Sequence, residues 1–154
     1  MKELPVRRFA TKAAWETWLS KHHESSPGLW LEFAKKGSRV VSLSRADALE
    51  VALCYGWIDG QAAPVDAARF RQRFTPRRPR SKWSQINCAA VERLQAQGRL
   101  ARAGLRQMEA ARRDGRWDAA YAILYRLHDA KKAETRQRRL TKFIDMLEAG
   151  ETLY

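Results

Sequence analysis

Apolar residues in the first third of the chain recur first with helical and then with strand spacing. Trp15, Trp18 and Leu19 share one helical face, and Thr11 stands where an N-cap residue is expected. Apolar and polar side chains then alternate over residues 29–34, the pattern of a strand with one buried face. The spacing therefore predicts a helix after Thr11, followed by a strand.

A second helix and a hairpin are predicted next. Ser44 with Asp47 resembles a capping box in which Asp replaces the usual Glu or Gln. Residues 58–63 and 69–74 are predicted to form the two strands of the hairpin, with residues 64–68 between them. In the second strand, period-two alternation gives a neutral face and a basic face, namely Phe70, Gln72 and Phe74 against Arg69, Arg71 and Arg73.

The rest of the chain has the pattern of helices. Pro76 and Pro79 exclude a regular helix or central strand around them, and Ser81 stands where it could cap the helix that follows. Further helices are expected over residues 101–114 and 133–148, each with a glycine just beyond its end.

These elements indicate an α+β fold. A small antiparallel sheet with helices occupies the N-terminal half, residues 1–80, which includes the arginine-rich hairpin. The C-terminal half, residues 81–154, is helical. A chain of 154 residues buries about 70% of its unfolded surface, so we expect the two portions to share one core.

The charge of the chain is positive and concentrated in one segment. The net charge is +13, and residues 69–82 contain six arginines and one lysine without any acid. Phe70, Phe74 and Trp83 lie among or next to these charges. Such a segment is either a solvated charged face or a surface for an anionic ligand or nucleic acid, since guanidinium groups beside aromatic rings suit both kinds of ligand.

Arg77, Arg78 and Arg80 are the strongest candidates for ligand binding. They lie in a proline-stiffened loop before a predicted helix N-terminus, which predicts a preorganised anion site at the surface. Ser81 and Asn87 follow them, and each either orders the end of the helix or contacts the ligand.

Asp59 and two tryptophans admit two interpretations each. Asp59 is either the ionic partner of Arg71 or Arg73, available as a general base, or a residue that orders the junction between helix and strand. Trp57 and Trp83 are either core residues with a polar edge or stacking platforms for a ligand. We favour the structural role in all three cases.

No metal, cofactor or catalytic residue is predicted. His22 and His23 are adjacent and point apart on a helix, while His128 is isolated, so no set of ligands has metal-binding spacing. The chain contains no nucleophile elbow and no glycine-rich nucleotide loop. We therefore favour a binding protein over an enzyme.

The cysteines and the hydropathy indicate the compartment. Cys54 and Cys88 are too few for a disulfide framework, so we expect them to be reduced. The N-terminus has no apolar run, and no stretch approaches the ~20 apolar residues of a membrane span. A cytoplasmic protein is expected.

Several motifs resemble a bacterial family. They read LCYGWIDG, RFTPRRPRSKWSQIN, GRWDAAY and AKKAETRQRRLTKFIDMLEAGE, and the likeness covers residues 9–151. They are similar to the YdeI/OmpD-associated proteins, also called bacteriocin-protection proteins. The resemblance implies a stress-resistance protein that acts against cationic antimicrobial peptides, with an envelope-stress protein as a partner.

The chain departs from this family at one place. Members carry a few dozen further residues between the motif GRWDAAY and the segment that corresponds to YRLHDAKKAETR, whereas here Tyr121 is followed directly by Ala122. Either that segment is deleted or residues are missing at this junction, and we expect missing residues.

Three hypotheses for function follow. The first is a YdeI/OmpD-associated binding protein for an anionic ligand. The second is nucleic-acid binding by the arginine hairpin and the basic last helix, although no standard nucleic-acid motif is present. The third is a small enzyme that uses Asp59 and the arginines on a phosphorylated or carboxylated substrate.

Overall fold

The computed structural model describes residues 3–121 and 133–148. The strands are β1 (Val6–Arg7), β2 (Leu29–Ala34), β3 (Trp57–Pro64) and β4 (Arg69–Pro76). The helices are α1 (Lys12–His22), α2 (Arg45–Cys54), α3 (Gln85–Ala96), α4 (Arg102–Arg113), α5 (Arg116–Ala119) and α6 (Ala133–Glu148). The α+β fold class predicted from the sequence is confirmed.

The described residues form two compact units. The first contains residues 3–81 and 90–108, and the second contains residues 82–89, 109–121 and 133–148. All four strands belong to the first unit. That the two halves of the chain share one core stays a prediction.

The strands form one mixed sheet in the order β1, β2, β4, β3. β2, β4 and β3 pair antiparallel, with Leu29 opposite Phe74 and Ile58 opposite Thr75. The predicted hairpin is therefore confirmed. β1 pairs parallel with β2, and this edge corrects the purely antiparallel sheet expected from the sequence, because two exposed residues give no strand signal of their own.

α1 and α2 pack against one face of the sheet. The buried side chains of this core are Trp15, Leu19, Leu29, Leu31, Phe33, Leu43, Ala48, Val51, Ala52, Trp57 and Phe74. The indole N–H of Trp15 donates to the carbonyl of Ala48 at 3.1 Å, and its ring meets Phe74 edge to face. The opposite face of the sheet is left to the polar positions of β2 and β4, since side chains alternate along each strand.

The two predicted caps of the first helices are confirmed. The hydroxyl of Thr11 accepts the backbone N–H of Ala14 at 3.2 Å. Ser44 Oγ accepts the backbone N–H of Asp47 at 3.0 Å and donates to its carboxylate at 2.7 Å. Both helices thus begin at local signals that the sequence contains.

α3 begins later than predicted. Ser84 Oγ accepts the backbone N–H of Asn87 at 3.2 Å, so Ser84 caps the helix that starts at Gln85. Ser81, which the sequence suggested as the cap, closes a turn instead. Its N–H donates to the carbonyl of Arg78, and its Oγ accepts the N–H of Arg78, both at 2.9 Å. Two serines precede the same apolar pattern, and the earlier hydroxyl is used by the turn.

Glu50 of α2 joins three basic side chains in the first unit. Lys12 donates to its carboxylate at 2.6 Å, Arg99 at 2.7 Å and Arg93 at 2.9 Å. The hydrogen bond from Lys12, opposed by partial burial and assisted by Arg99, lowers the pKa of Glu50 to about 2. We call these four residues the Glu50 cluster. Its members are distant in sequence, so no local pattern predicts it.

An aromatic pair occupies the second unit. The rings of Trp83 and Trp117 lie 4.9 Å apart, and the guanidinium of Arg112 lies 5.0 Å from the centre of the Trp117 ring. α6 has the bounds expected from the sequence. At the junction after Tyr121, Ala122 lies outside the described residues, so the expectation of missing residues stays a prediction.

Cys54 and Cys88 are both buried and free. Burial raises the pKa of the Cys54 thiol to about 11. Within the described part of the chain, no helix is both long and apolar enough to cross a membrane. Across residues 3–121 and 133–148, no three His, Cys, Asp or Glu side chains form a group that could hold a metal ion.

Candidate functional site

Four polar or aromatic residues of β2 and β4 share the face of the sheet opposite α1 and α2. In the antiparallel register, Trp30 lies opposite Arg73 and Glu32 lies opposite Arg71. Directly opposed residues project from the same face of a sheet. We call this surface, defined by Trp30, Glu32, Arg71 and Arg73, the outer face.

Arg71 is stacked on Trp30. Its guanidinium carbon lies 4.7 Å from the centre of the indole ring, where a cation is attracted by the negative face of the ring. Nε of Arg71 is buried and has no hydrogen-bond partner among the described residues. The stacking contact therefore holds both side chains in place on the outer face.

Arg73 lies beside Gly60 of β3. A Cβ atom added to Gly60 would lie 3.4 Å from Nε of Arg73, so the missing side chain leaves room for the guanidinium against this strand. Nε of Arg73 is buried, and within the described residues the side chain has neither a hydrogen bond nor an ion pair. A buried polar group without a partner is unfavourable, and native proteins rarely leave one.

Arg69, on the same strand, is bonded to acidic side chains. Its guanidinium donates to Asp66 at 2.6 Å and to Glu32 at 3.1 Å. The hydrogen bond from the Arg69 side chain, assisted by the backbone N–H of Ala68, lowers the pKa of Asp66. The three-arginine face predicted from the sequence is thus confirmed as an arrangement, but only Arg71 and Arg73 are left without acidic partners among the described residues.

A groove with a volume of about 830 Å³ lies beside Arg73. Its lining comprises Glu3, Leu4, Pro27, Trp30, Ile58, Asp59, Gly60, Arg73, Thr75, Pro76, Arg78 and Ser81. This volume falls among those of small-molecule pockets, about 300–1,000 Å³. The turn between Ser81 and Arg78 fixes the backbone of the second arginine. The groove combines two guanidinium groups with an aromatic ring and a largely apolar wall.

Asp59 lines the groove, but its carboxylate is already bonded. Oδ2 accepts a hydrogen bond from Nε2 of Gln72 at 2.8 Å and lies 3.4 Å from the guanidinium of Arg45. The interpretation that paired Asp59 with Arg71 or Arg73 is therefore wrong. The register explains why, because Asp59 occupies a position of the core face while the arginines project from the outer face.

Arg77 departs from the predicted surface site. Only 4% of its surface is exposed, and its backbone N–H donates to the carbonyl of Gly56 at 3.0 Å. Arg78 and Arg80 are exposed, and only Arg78 lines the groove. The three arginines predicted to form one surface site are therefore separated. Arg77 continues past the end of β4, and neighbouring side chains of an extended chain point in opposite directions.

Trp57 and Trp83 occupy core positions, with 1% and 3% of their surfaces exposed. The indole N–H of Trp57 donates to the carbonyl of His23 at 3.1 Å. Trp83 belongs to the second unit together with Asn87. The groove lining includes none of Trp57, Trp83 and Asn87.

A smaller pocket of about 260 Å³ includes Trp57 in its wall. Its two oppositely charged residues, Glu24 and Arg106, form an ion pair at 3.1 Å. The charges of that pocket therefore satisfy one another, unlike the two arginines of the groove.

A family model described as Domain of unknown function (DUF8412) matches residues 7–107, more than half of the chain. The chain belongs to this family. A second model, described as Bacteriocin-protection, YdeI or OmpD-Associated, matches residues 119–150. This match confirms the resemblance to the YdeI/OmpD-associated proteins over that segment. No curated protein and no solved structure matches the chain.

The DUF8412 segment contains β2, β3, β4 and every groove residue except Glu3 and Leu4. Sequence reasoning identified the arginines of this segment but missed Trp30. The alternation over residues 29–34 already assigned Trp30 to the polar face of its strand. That signal becomes informative only when the register places Trp30 beside Arg73.

Proposed function

We propose that the groove binds an anionic ligand and that the protein is a non-enzymatic binding protein. Arg73 supports this proposal most directly. Its Nε is buried, it lines the groove, and it has no acidic partner among the described residues. The residue as a whole is half-buried, so its guanidinium reaches the groove, and an anion there accepts its hydrogen bonds and supplies a counter-charge.

The surroundings of Arg73 favour a phosphate or carboxylate group. Guanidinium groups bind such anions through paired hydrogen bonds, and Arg78 provides a second exposed guanidinium in the same groove. The acids of the lining oppose this only weakly. Asp59 occupies a position of the core face and lies 3.4 Å from the guanidinium of Arg45, and Glu3 is exposed to water, where its charge is screened.

Isothermal titration with inorganic phosphate, at constant ionic strength, tests the proposal. We expect Arg73→Gln to weaken binding at least tenfold, about 1.4 kcal/mol, and Arg78→Gln to weaken it by a smaller factor. Arg39→Gln is the matched control, since Arg39 is exposed, belongs to the first unit and lies outside the groove. Equal affinities for the Arg73 and Arg39 variants would rule out the groove as the site.

Nucleic-acid binding is the second candidate function. The observation that favours it is the guanidinium of Arg71 stacked on Trp30 beside Arg73, since aromatic and basic side chains on a sheet are used to bind single strands. The affinity for an oligonucleotide then falls steeply with salt, because each phosphate contact releases counterions.

We also propose a cytoplasmic location and a role in resistance to antimicrobial peptides. The location is supported by the small number of cysteines, which is typical of proteins kept in a reducing compartment. The role is supported by the match of residues 119–150 to the model named for bacteriocin protection. Fractionation of producing cells and survival of a deletion strain under bacteriocin challenge test these two points.

A further inference from the structure

We infer that the anion bound in the groove carries an aromatic ring. The ligand is then a phosphate monoester of a compound that contains a heteroaromatic ring, and nucleoside monophosphates are simple examples. This inference rests on the proposed function. It adds the part of the ligand that the arginines do not recognise, and it is carried by the size of the groove, by Trp30 and by the apolar wall.

A bare inorganic ion fills only a small part of the groove. A water molecule occupies about 30 Å³ of liquid, and phosphate is only a few times larger, whereas the groove measures about 830 Å³. Pockets of this size hold molecules with a substantial apolar part, which contributes most of the surface that binding removes from water. The anionic group of the ligand therefore occupies a minor share of the groove.

Trp30 provides a fixed aromatic surface inside the groove. It is half-buried, lines the groove and lies opposite Arg73 across the two strands. The guanidinium of Arg71, 4.7 Å from the centre of the ring, holds the indole in place. A side chain that is already held loses little freedom when a ligand packs on it, so Arg71 acts as a positioning residue.

Apolar residues from three segments of the chain form the wall around Trp30. Leu4 comes from the segment before β1, Pro27 from the loop before β2, and Ile58 from β3. Ile58 lies opposite Thr75, two residues along β4 from Arg73, which is about 7 Å in a strand. A ligand that is charged at one end and flat and apolar at the other matches this spacing.

The hydrogen-bond donors of the groove suit a phosphate monoester. Such a group carries a charge between −1.5 and −2 at neutral pH, roughly, and two guanidinium groups, those of Arg73 and Arg78, line the groove. Ser81 in the same lining has a hydroxyl of the kind that hydrogen-bonds phosphate oxygens.

Titration of the full-length protein with three probes at constant ionic strength tests the inference. The probes are adenosine 5′-monophosphate, ribose 5-phosphate and adenosine. We expect the nucleotide to bind at least tenfold more tightly than the sugar phosphate, because only the nucleotide has a ring to place against Trp30. Adenosine, which lacks the anion, is expected to bind at least tenfold more weakly than the nucleotide.

Substitutions separate the two parts of the site. Trp30→Leu is expected to reduce the affinity for the nucleotide to that for ribose 5-phosphate and to leave the sugar phosphate unchanged, while Trp30→Phe retains most of the preference. Arg73→Gln is expected to weaken both phosphates. Because the probe comparison is made first on the unaltered protein, a Trp30 variant that fails to fold leaves the inference testable.

Three outcomes would overturn the inference. Equal affinities for the nucleotide and ribose 5-phosphate, with both reduced by Arg73→Gln, overturn the aromatic ligand and leave the anion-binding proposal intact. If the unaltered protein binds neither the nucleotide nor ribose 5-phosphate, both the aromatic ligand and the anion-binding proposal are overturned. Tighter binding of a single-stranded oligonucleotide than of the nucleotide, with a steep salt dependence, overturns the inference in favour of nucleic acid.

Discussion

Arg77 and Arg78 are adjacent in the sequence but differ completely in environment. Arg77 is 4% exposed, whereas Arg78 lies at the surface and lines the groove. Burial of an arginine requires bonds in the interior, and its removal leaves both a cavity and broken interactions. An exposed arginine contributes little to stability.

We therefore expect Arg77→Ala to lower the free energy of unfolding by more than about 2 kcal/mol. Arg78→Ala is the matched control and is expected to change it by less than about 0.5 kcal/mol. Urea denaturation of both variants measures the difference. Equal stabilities would mean that Arg77 is not held in the interior. The surface site predicted from the sequence implies instead that Arg77, Arg78 and Arg80 contribute equally little to stability, so a large loss for Arg77→Ala alone would contradict it.

At the scale of single elements, α2 depends on its cap. Ser44 accepts the N–H of Asp47 and donates to its carboxylate, and this hydroxyl is the main cause of the lowered pKa of Asp47. We expect Ser44→Ala to destabilise the protein by about 1 kcal/mol, the usual contribution of an N-cap.

Ser20 provides the control for this prediction. It lies inside α1, is exposed, and donates to the carbonyl of Thr17. Alanine has the higher helix propensity, so Ser20→Ala is expected to be neutral or to stabilise by about 0.5 kcal/mol. Thermal and urea unfolding of both variants decide the matter, and a stable Ser44→Ala protein would show that the hydroxyl does not cap the helix.

The elements that sequence predicts well are those with local signals. The caps at Thr11 and Ser44, the alternation over residues 29–34 and the hairpin are all found in the structure. β1 is different, because its two residues become a strand only through pairing with β2. Pairing of this kind depends on the tertiary structure, which a local pattern does not contain.

At the scale of the whole molecule, acid stability depends on the Glu50 cluster. The pKa of Glu50 is lowered from 4.5 to about 2. Above pH 4.5 the carboxylate is ionised in both the folded and the unfolded state, and its contribution is complete. Between pH 4.5 and 2 the unfolded state binds a proton that the folded state does not, so stability falls as the pH falls.

We expect Glu50→Gln to lower the free energy of unfolding by about 1–2 kcal/mol at neutral pH, since its basic partners are partly exposed. The difference from the unaltered protein is expected to vanish near pH 2. Glu109→Gln is the control, because Glu109 is exposed and has no ion pair among the described residues. A variant that keeps the full pH dependence between 4.5 and 2 would contradict the assignment.

The candidate site, like the fold, could be predicted only in part, because contacts between distant residues have no local signal in the sequence. Alternation along one strand predicted that Arg71 and Arg73 project from the same face of the sheet. The groove, however, is assembled from residues 3 to 81, and the neighbours of each arginine follow from strand register. The same limit explains Asp59, whose nearness to the arginines in sequence did not show that it projects toward the core.

The edge strands of the sheet are the places where a second copy of the chain could pair with it. β1 is only two residues long, and β3 has an irregular register between Asp59 and Ala62 and ends at Pro64. Short edge strands, bulges and proline are features that keep sheets from adding strands of a neighbouring chain. The described strands thus expose little continuous backbone to template aggregation, and at high concentration the protein is expected to resist edge-to-edge fibre formation.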